Sequence, residues 1–151
     1  MDLFPYILLI AAVLAFATGL LVWMHARQPG MKLFTGLVVS AGLWSFGLAM
    51  ETLSVGAATQ IAWAKFQYLG IATLPVFWFL FAFEYSGQTN WIRRWIRIAL
   101  WGVPAITLIL VLTNGQHGLI WSAIRPASAE PGSPLVYTHG WWFWTAAIYG
   151  C

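Results

Sequence analysis

Residues 62–87 read AWAKFQYLGIATLPVFWFLFAFEYSG, with Lys65 near the start, Pro75 in the middle and Glu84 near the end. Apolar side chains dominate from Tyr68 to Phe83. A bilayer core of about 30 Å needs about 20 helical residues at 1.5 Å each. The stretch is long enough, and apolar enough, to be a membrane helix.

The rest of the chain agrees. Mean hydropathy is +0.78 and only 7% of residues are charged, against about 25% in soluble domains, which excludes a soluble globular class. Together with 62–85, apolar stretches at 3–24, 33–55 and 96–112 make four complete spans, separated by short polar breaks. A fifth starts at Trp141 and has eleven residues, 141–151, about 16 Å of helix and half the hydrocarbon thickness. The fold expected is all-α, a polytopic membrane helix bundle of four spans and the start of a fifth. The end at Cys151 reads as a truncation.

Charge suggests the orientation, because loops retained inside carry the excess Lys and Arg. Arg27 and Lys32 follow span one, Arg93, Arg94 and Arg97 follow span three, and the break Gly56 to Ile61 has no charge. In the fourth loop Arg125 is offset by Glu130, and the N-terminus carries Asp2. The N-terminus is therefore expected outside, in a multi-pass protein of the inner (plasma) membrane. Five of the seven basic residues belong to the two inner loops, so the net charge of +3 speaks for topology and membrane lipid, and no nucleic-acid partner is expected. Asp2 and the length of span one favour a retained helix over a signal peptide. A single cysteine excludes an internal disulfide. Trp23 and Trp91 near inner ends, and Trp63, Trp141, Trp142 and Trp144 near outer ends, suit the headgroup zone.

Within the spans, Pro75 and Pro104 each remove a backbone hydrogen bond and are expected to kink their helices. Ser40, Gly42, Gly47 and Ala49 would allow close helix approach. Ionisable groups in apolar spans are costly unless paired, snorkelling or facing water. Glu51 and Lys65 lie about one turn from the outer ends of neighbouring antiparallel spans, so an ion pair between them is geometrically open, the alternative being that each side chain snorkels separately to the outer surface. Glu84 is expected to snorkel or to pair with Arg93, Arg94 or Arg97. The loop Thr113–Gly140 is long enough to fold over the outer mouth, and its TNGQHGLIW segment supplies Asn114, His117 and Trp121. His25, His117 and His139 have no metal-site spacing, and no phosphate loop or nucleophile elbow is present. No metal, cofactor or catalytic residue is expected.

Three motifs carry a resemblance: AME at 49–51, WAKFQYLGIATLPVFWFLFAFEYSG at 63–87, and TNGQHGLIW at 113–121. In order and spacing they resemble the N-terminal seven-helix sensor region of bacterial histidine kinases. The resemblance covers roughly Gly36 to Trp121, with Met50 and Ser86 in place of the usual Leu and Thr. It carries over Glu51, Tyr68, Gly70, Pro75, Asn114, His117 and Trp121 among its motif positions; Lys65 lies outside the motif. It implies two further helices and a cytoplasmic output module, commonly a kinase core.

The function expected is signal input. An external or membrane-dissolved ligand would bind the outer half of the bundle, with Glu51, Lys65, Tyr68, Asn114, His117 and Trp121 as candidate binding residues. The expected partners are lipid, a small-molecule or lipophilic ligand, a kinase or other output module in the parent chain, and a second copy in a homodimer. The alternatives are a transporter or channel fragment and an accessory or scaffold subunit of a membrane complex.

Overall fold

A computed structural model describes residues 3–87, 93–128 and 133–150. The expectations resting on Asp2, Trp91, Glu130 and Cys151 fall outside them. The element order is α1 (Phe4–Met24), α2 (Met31–Leu53), α3 (Ala57–Tyr85), α4 (Arg94–Leu100), α5 (Gly102–Leu112), α6 (Asn114–His117), β1 (Trp121–Pro126), β2 (Leu135–His139) and α7 (Trp141–Gly150). Four helical stretches, with Arg94–Leu112 counted as one, are long and apolar enough to cross a membrane. The helical membrane bundle expected from the sequence is what the chain forms.

The first three helices pack in sequence order, α1 on α2 and α2 on α3. Because lipid is as apolar as leucine, close backbone approach rather than apolar burial must hold them together. The buried positions of α1 are Pro5, Ala12 and Gly19, seven residues apart, so one narrow seam faces α2 and the large side chains face outward. Two seams run along α2. Thr35 and Gly42 face α1, where Gly19 lies against Thr35 and Val39 and Gly42 against Phe16, while Ser40 and Gly47 face α3. Both seams keep the seven-residue spacing of helices crossing at shallow angles.

The tightest point is Gly70. A Cβ there would stand 2.2 Å from the Ser40 carbonyl oxygen and 2.8 Å from the Trp44 amide nitrogen, so only glycine lets α3 lie on the α2 backbone. Beside it the Ser40 and Thr73 hydroxyls are 2.9 Å apart and join the two helices.

At the opposite end from Glu51, Glu84 accepts a hydrogen bond of 3.0 Å from the Gly30 amide. Gly30 precedes α2 with φ 83°, a left-handed conformation suited to glycine. This replaces the expected arginine partner of Glu84: a carboxylate at a helix N-terminus meets unpaired N–H groups and the positive end of the helix dipole. Glu84→Gln is expected to cost about 0.3–1 kcal/mol and to speed hydrogen exchange at the Gly30 amide. Unchanged exchange there would show that the contact contributes nothing.

The two prolines behave differently. α3 continues through Pro75 without a break. The fourth span divides at Trp101, and Pro104 lies in the first turn of α5. Having no N–H, Pro104 cannot bond the Leu100 carbonyl four residues back. The Tyr149 hydroxyl of α7 donates to that carbonyl instead, at 2.7 Å.

The loop 113–140 contains structure of its own. After the short α6, β1 and β2 pair antiparallel from Trp121↔His139 to Pro126↔Leu135, with an irregularity between Trp121 and Ala123. Ile120 and Trp121 are buried with Tyr68, Ala64 and Val111, which anchors the hairpin to α3 and α5. Gly140 N–H to the Ile120 carbonyl and Trp142 N–H to the Leu119 carbonyl, at 2.8 and 3.1 Å, tie the start of α7 to the same segment.

Candidate functional site

Between the C-terminal end of α2, the N-terminal part of α3 and the hairpin is a cavity of about 550 Å³. Each wall follows from local structure. Glu51 is in the last turn of α2. Gln60, Gln67 and Tyr68 come from α3, with the two glutamines seven residues apart on the side toward α2. β2 alternates, so Leu135 and Tyr137 face inward while Val136 and Thr138 are exposed. His139 and Phe143, stacked with centroids 3.7 Å apart, close the remaining side.

The polar groups form a connected set. Glu51 accepts from the Gln67 side-chain amide through one carboxylate oxygen, and from the Tyr137 hydroxyl at 2.6 Å through the other. Burial, and then the Glu51 carboxylate beside it, push the Tyr137 hydroxyl well above its ordinary pKa of 10.0, so it remains a donor throughout the physiological range. Gln60 is 3% exposed. Its amide nitrogen donates to the Ser54 carbonyl at 2.8 Å and lies 3.4 Å from that of Ser133, while its buried Oε1 has no partner among the described residues. Tyr68 meets Trp121 edge-on at 5.5 Å, and Trp121 lies 5.1 Å from Tyr137. One carboxylate and a corner of aromatic rings thus line the same cavity.

Three of the six candidate residues, Glu51, Tyr68 and Trp121, line this cavity. The other three have different surroundings. Lys65 does not pair with Glu51; its ammonium donates to the Leu112 carbonyl at the end of α5, at 3.1 Å. The reason is helical geometry. At 100° per residue Lys65 is about 200° around α3 from Gln67, the residue that meets Glu51, and a cation is well placed at a helix C-terminus.

Asn114 is buried beneath the hairpin, where its oxygen accepts from the Ile120 and Trp121 amides at 2.9 and 3.0 Å and its nitrogen donates to the Trp121 carbonyl at 3.0 Å. Its amide is committed to shaping the loop that carries Trp121. His117 is exposed and also bonded locally. The Leu119 amide donates to Nδ1 at 3.1 Å, so Nε2 carries the proton and donates to the Thr113 hydroxyl at 3.0 Å.

Sequence reasoning passed over Gln60, Gln67 and Tyr137. Gln60 had been assigned to the connection 56–61, yet α3 begins at Ala57. The signal available was the seven-residue step from Gln60 to Gln67, two uncharged polar residues on one face of an otherwise apolar helix. Among the described residues no three His, Cys, Asp or Glu side chains gather in a metal-binding group. The cavity offers hydrogen bonds, one negative charge and aromatic faces, which is the chemistry of binding.

A second, apolar cavity of about 360 Å³ lies deeper, between α2, α3, α5 and α7, and shares Tyr68, Ile71 and Phe143 with the first. Pro75, Pro104 and Tyr149 are in its walls. The first cavity therefore has an apolar floor that continues toward the middle of the helices.

No curated protein and no solved structure matches the chain. The family described as the N-terminal 7TM region of histidine kinase matches residues 7–151. That match spans all but the first six residues and includes every wall of both cavities, so the chain belongs to the N-terminal seven-transmembrane region family of histidine kinases.

Proposed function

We propose that this chain is the signal-input domain of a two-component sensor histidine kinase, and that the outer cavity receives the signal as a bound ligand. The observation that carries the reading is the Gln67–Glu51–Tyr137 connection. It joins α3, α2 and the hairpin through one carboxylate at the cavity wall, so an occupant that competes for Glu51 loosens or tightens the hairpin against the bundle. The hairpin is bonded to the start of α7, which gives the change a route toward the opposite face. Only a difference in affinity between two arrangements shifts their populations; moving 1:99 to 99:1 takes about 10⁴-fold.

The proposed setting is the inner membrane, with the cavity and N-terminus outside and the kinase module inside. Support comes from charge: Arg27, Lys32, Arg93, Arg94 and Arg97 all belong to the end opposite the cavity. A second copy completes the signalling unit as a homodimer.

The test uses the full-length kinase in proteoliposomes. Glu51→Gln and Tyr137→Phe are expected to change basal or induced autophosphorylation by about fivefold or more, the lower range of coupling between sites. Trp78→Leu, on the exposed face of α3, serves as the control and should change neither. Unaltered autophosphorylation by both cavity variants under every inducing condition would dispose of the outer site.

A further inference from the structure

We infer that the ligand of the outer cavity is an organic ammonium ion: a cationic nitrogen seated between the Glu51 carboxylate and the aromatic rings, with an apolar substituent directed toward Tyr68, Ile71 and Phe143. The inference rests on the outer cavity being the input site and adds the chemical class of its occupant.

Charge is the first ground. Among the described residues Glu51 is the one acidic residue in the cavity wall, and no Lys or Arg lines it; Lys65, also on α3, is held by the end of α5. Glu51 receives hydrogen bonds from two neutral donors, which leave its charge uncancelled. A carboxylate offers about four acceptor positions, so two remain for a ligand. An anionic head would meet this carboxylate with no Lys or Arg among the described wall residues to offset it; the one imidazole there, His139, is taken up against the Phe143 ring.

The aromatic faces are the second ground. Tyr68, Trp121 and Tyr137 form a continuous corner, with centroid separations of 5.5 and 5.1 Å, and all three line the same cavity as Glu51. Cations are drawn to the negative faces of such rings, and aromatic cages are a recurring device for recognising alkylated ammonium groups. The third ground is the remainder of the wall. Leu48, Ile71 and Phe143, also in the wall, suit an alkyl or aryl body more than a second polar group.

Two sources share this chemistry, a soluble amine and the ammonium headgroup of phosphatidylethanolamine. The experiment measures hexylammonium, hexanol and hexanoate binding to the full-length kinase by calorimetry, in nanodiscs of phosphatidylcholine alone and with phosphatidylethanolamine added. Empty nanodiscs of each composition supply the partition background. Hexylammonium is expected to bind about tenfold or more tightly than hexanol, hexanoate should not bind, and Glu51→Gln should remove the preference for the cation, as loss of a charged hydrogen-bond partner implies. Competition by phosphatidylethanolamine identifies the lipid as the source, and its absence identifies a soluble amine; either supports the assignment. Hexanol or hexanoate binding as tightly as hexylammonium overturns it, and because that comparison uses the native protein it does not depend on the variant folding. If hexylammonium fails to bind while Glu51→Gln still alters autophosphorylation, the ligand class is wrong and the site remains. If it binds but kinase output does not respond, the ligand class stands and the signalling reading falls.

Discussion

Asn114→Ala is expected to be the most destabilising single substitution in the half of the protein that holds the hairpin. One side-chain amide makes three hydrogen bonds to the backbone of Ile120 and Trp121, and those residues are 0% and 5% exposed. Alanine would leave buried N–H and C=O groups facing apolar neighbours. Each such group costs about 1–3 kcal/mol, and because the three share one turn the total should be about 3–5 kcal/mol rather than the full sum. Asn114→Asp keeps both acceptor bonds but sets a carboxylate oxygen against the Trp121 carbonyl, so it should damage stability and, by shifting Trp121, the proposed ligand binding. Thermal unfolding in detergent with hydrogen exchange at Ile120 and Trp121 reads both effects. A loss below about 1 kcal/mol would mean that the segment holds its shape without the asparagine.

Gly70→Ala is expected to push α2 and α3 apart. The added carbon would be 2.2 Å from one backbone atom and 2.8 Å from another, and neither can rotate away as a side-chain tip could. Overpacking of this kind costs about 1–3 kcal/mol. Here it should also break the Ser40–Thr73 contact and move Gln67 away from Glu51, so that the proposed input site fails together with the packing. Gly70→Leu should be worse. Gly102 has nothing within 4 Å of an added Cβ, so Gly102→Ala should be neutral. Spin labels on the outer ends of α2 and α3 would report the separation. Equal distances in Gly70→Ala and the native protein would refute the close-contact account.

How much of this was legible depended on the length scale of the signal. Four membrane spans follow from runs of about 20 apolar residues, a pattern that survives local irregularity, and the motif series that points to the family lies within them. The hairpin does not stand out. Its strands are WSAIRP and LVYTH, too short to show convincing alternation, and the Pro, Gly and Ser between them read simply as loop. The signal was the β-branched and aromatic content of Ile124, Val136, Tyr137 and Thr138.

Within the site, attention to formal charge found Glu51 but looked to Lys65 for its partner, where the structure has Gln67 and Tyr137. Depth along a helix is easily counted from sequence, whereas azimuth depends on which neighbour packs where. Lys65 has a depth similar to that of Glu51 and points elsewhere; Gln67 has no charge to draw notice and points at it. Asn114, His117 and Trp121 were correctly placed in one segment. Their division of labour, one amide shaping the turn, one imidazole bonded locally and one indole facing the cavity, rests on hydrogen bonds that spacing cannot reveal.

The Tyr149 bond to the carbonyl released by Pro104 bears on mechanics. α7 is attached at its beginning through Gly140 and Trp142, and about two turns further on through Tyr149, with about 10 Å of helix between Trp142 and Tyr149. A rod pinned at two points cannot be pulled at one without loading the other. Force applied at the hairpin therefore arrives as tension on the joint between α4 and α5, the place where the fourth span has already given up a backbone bond.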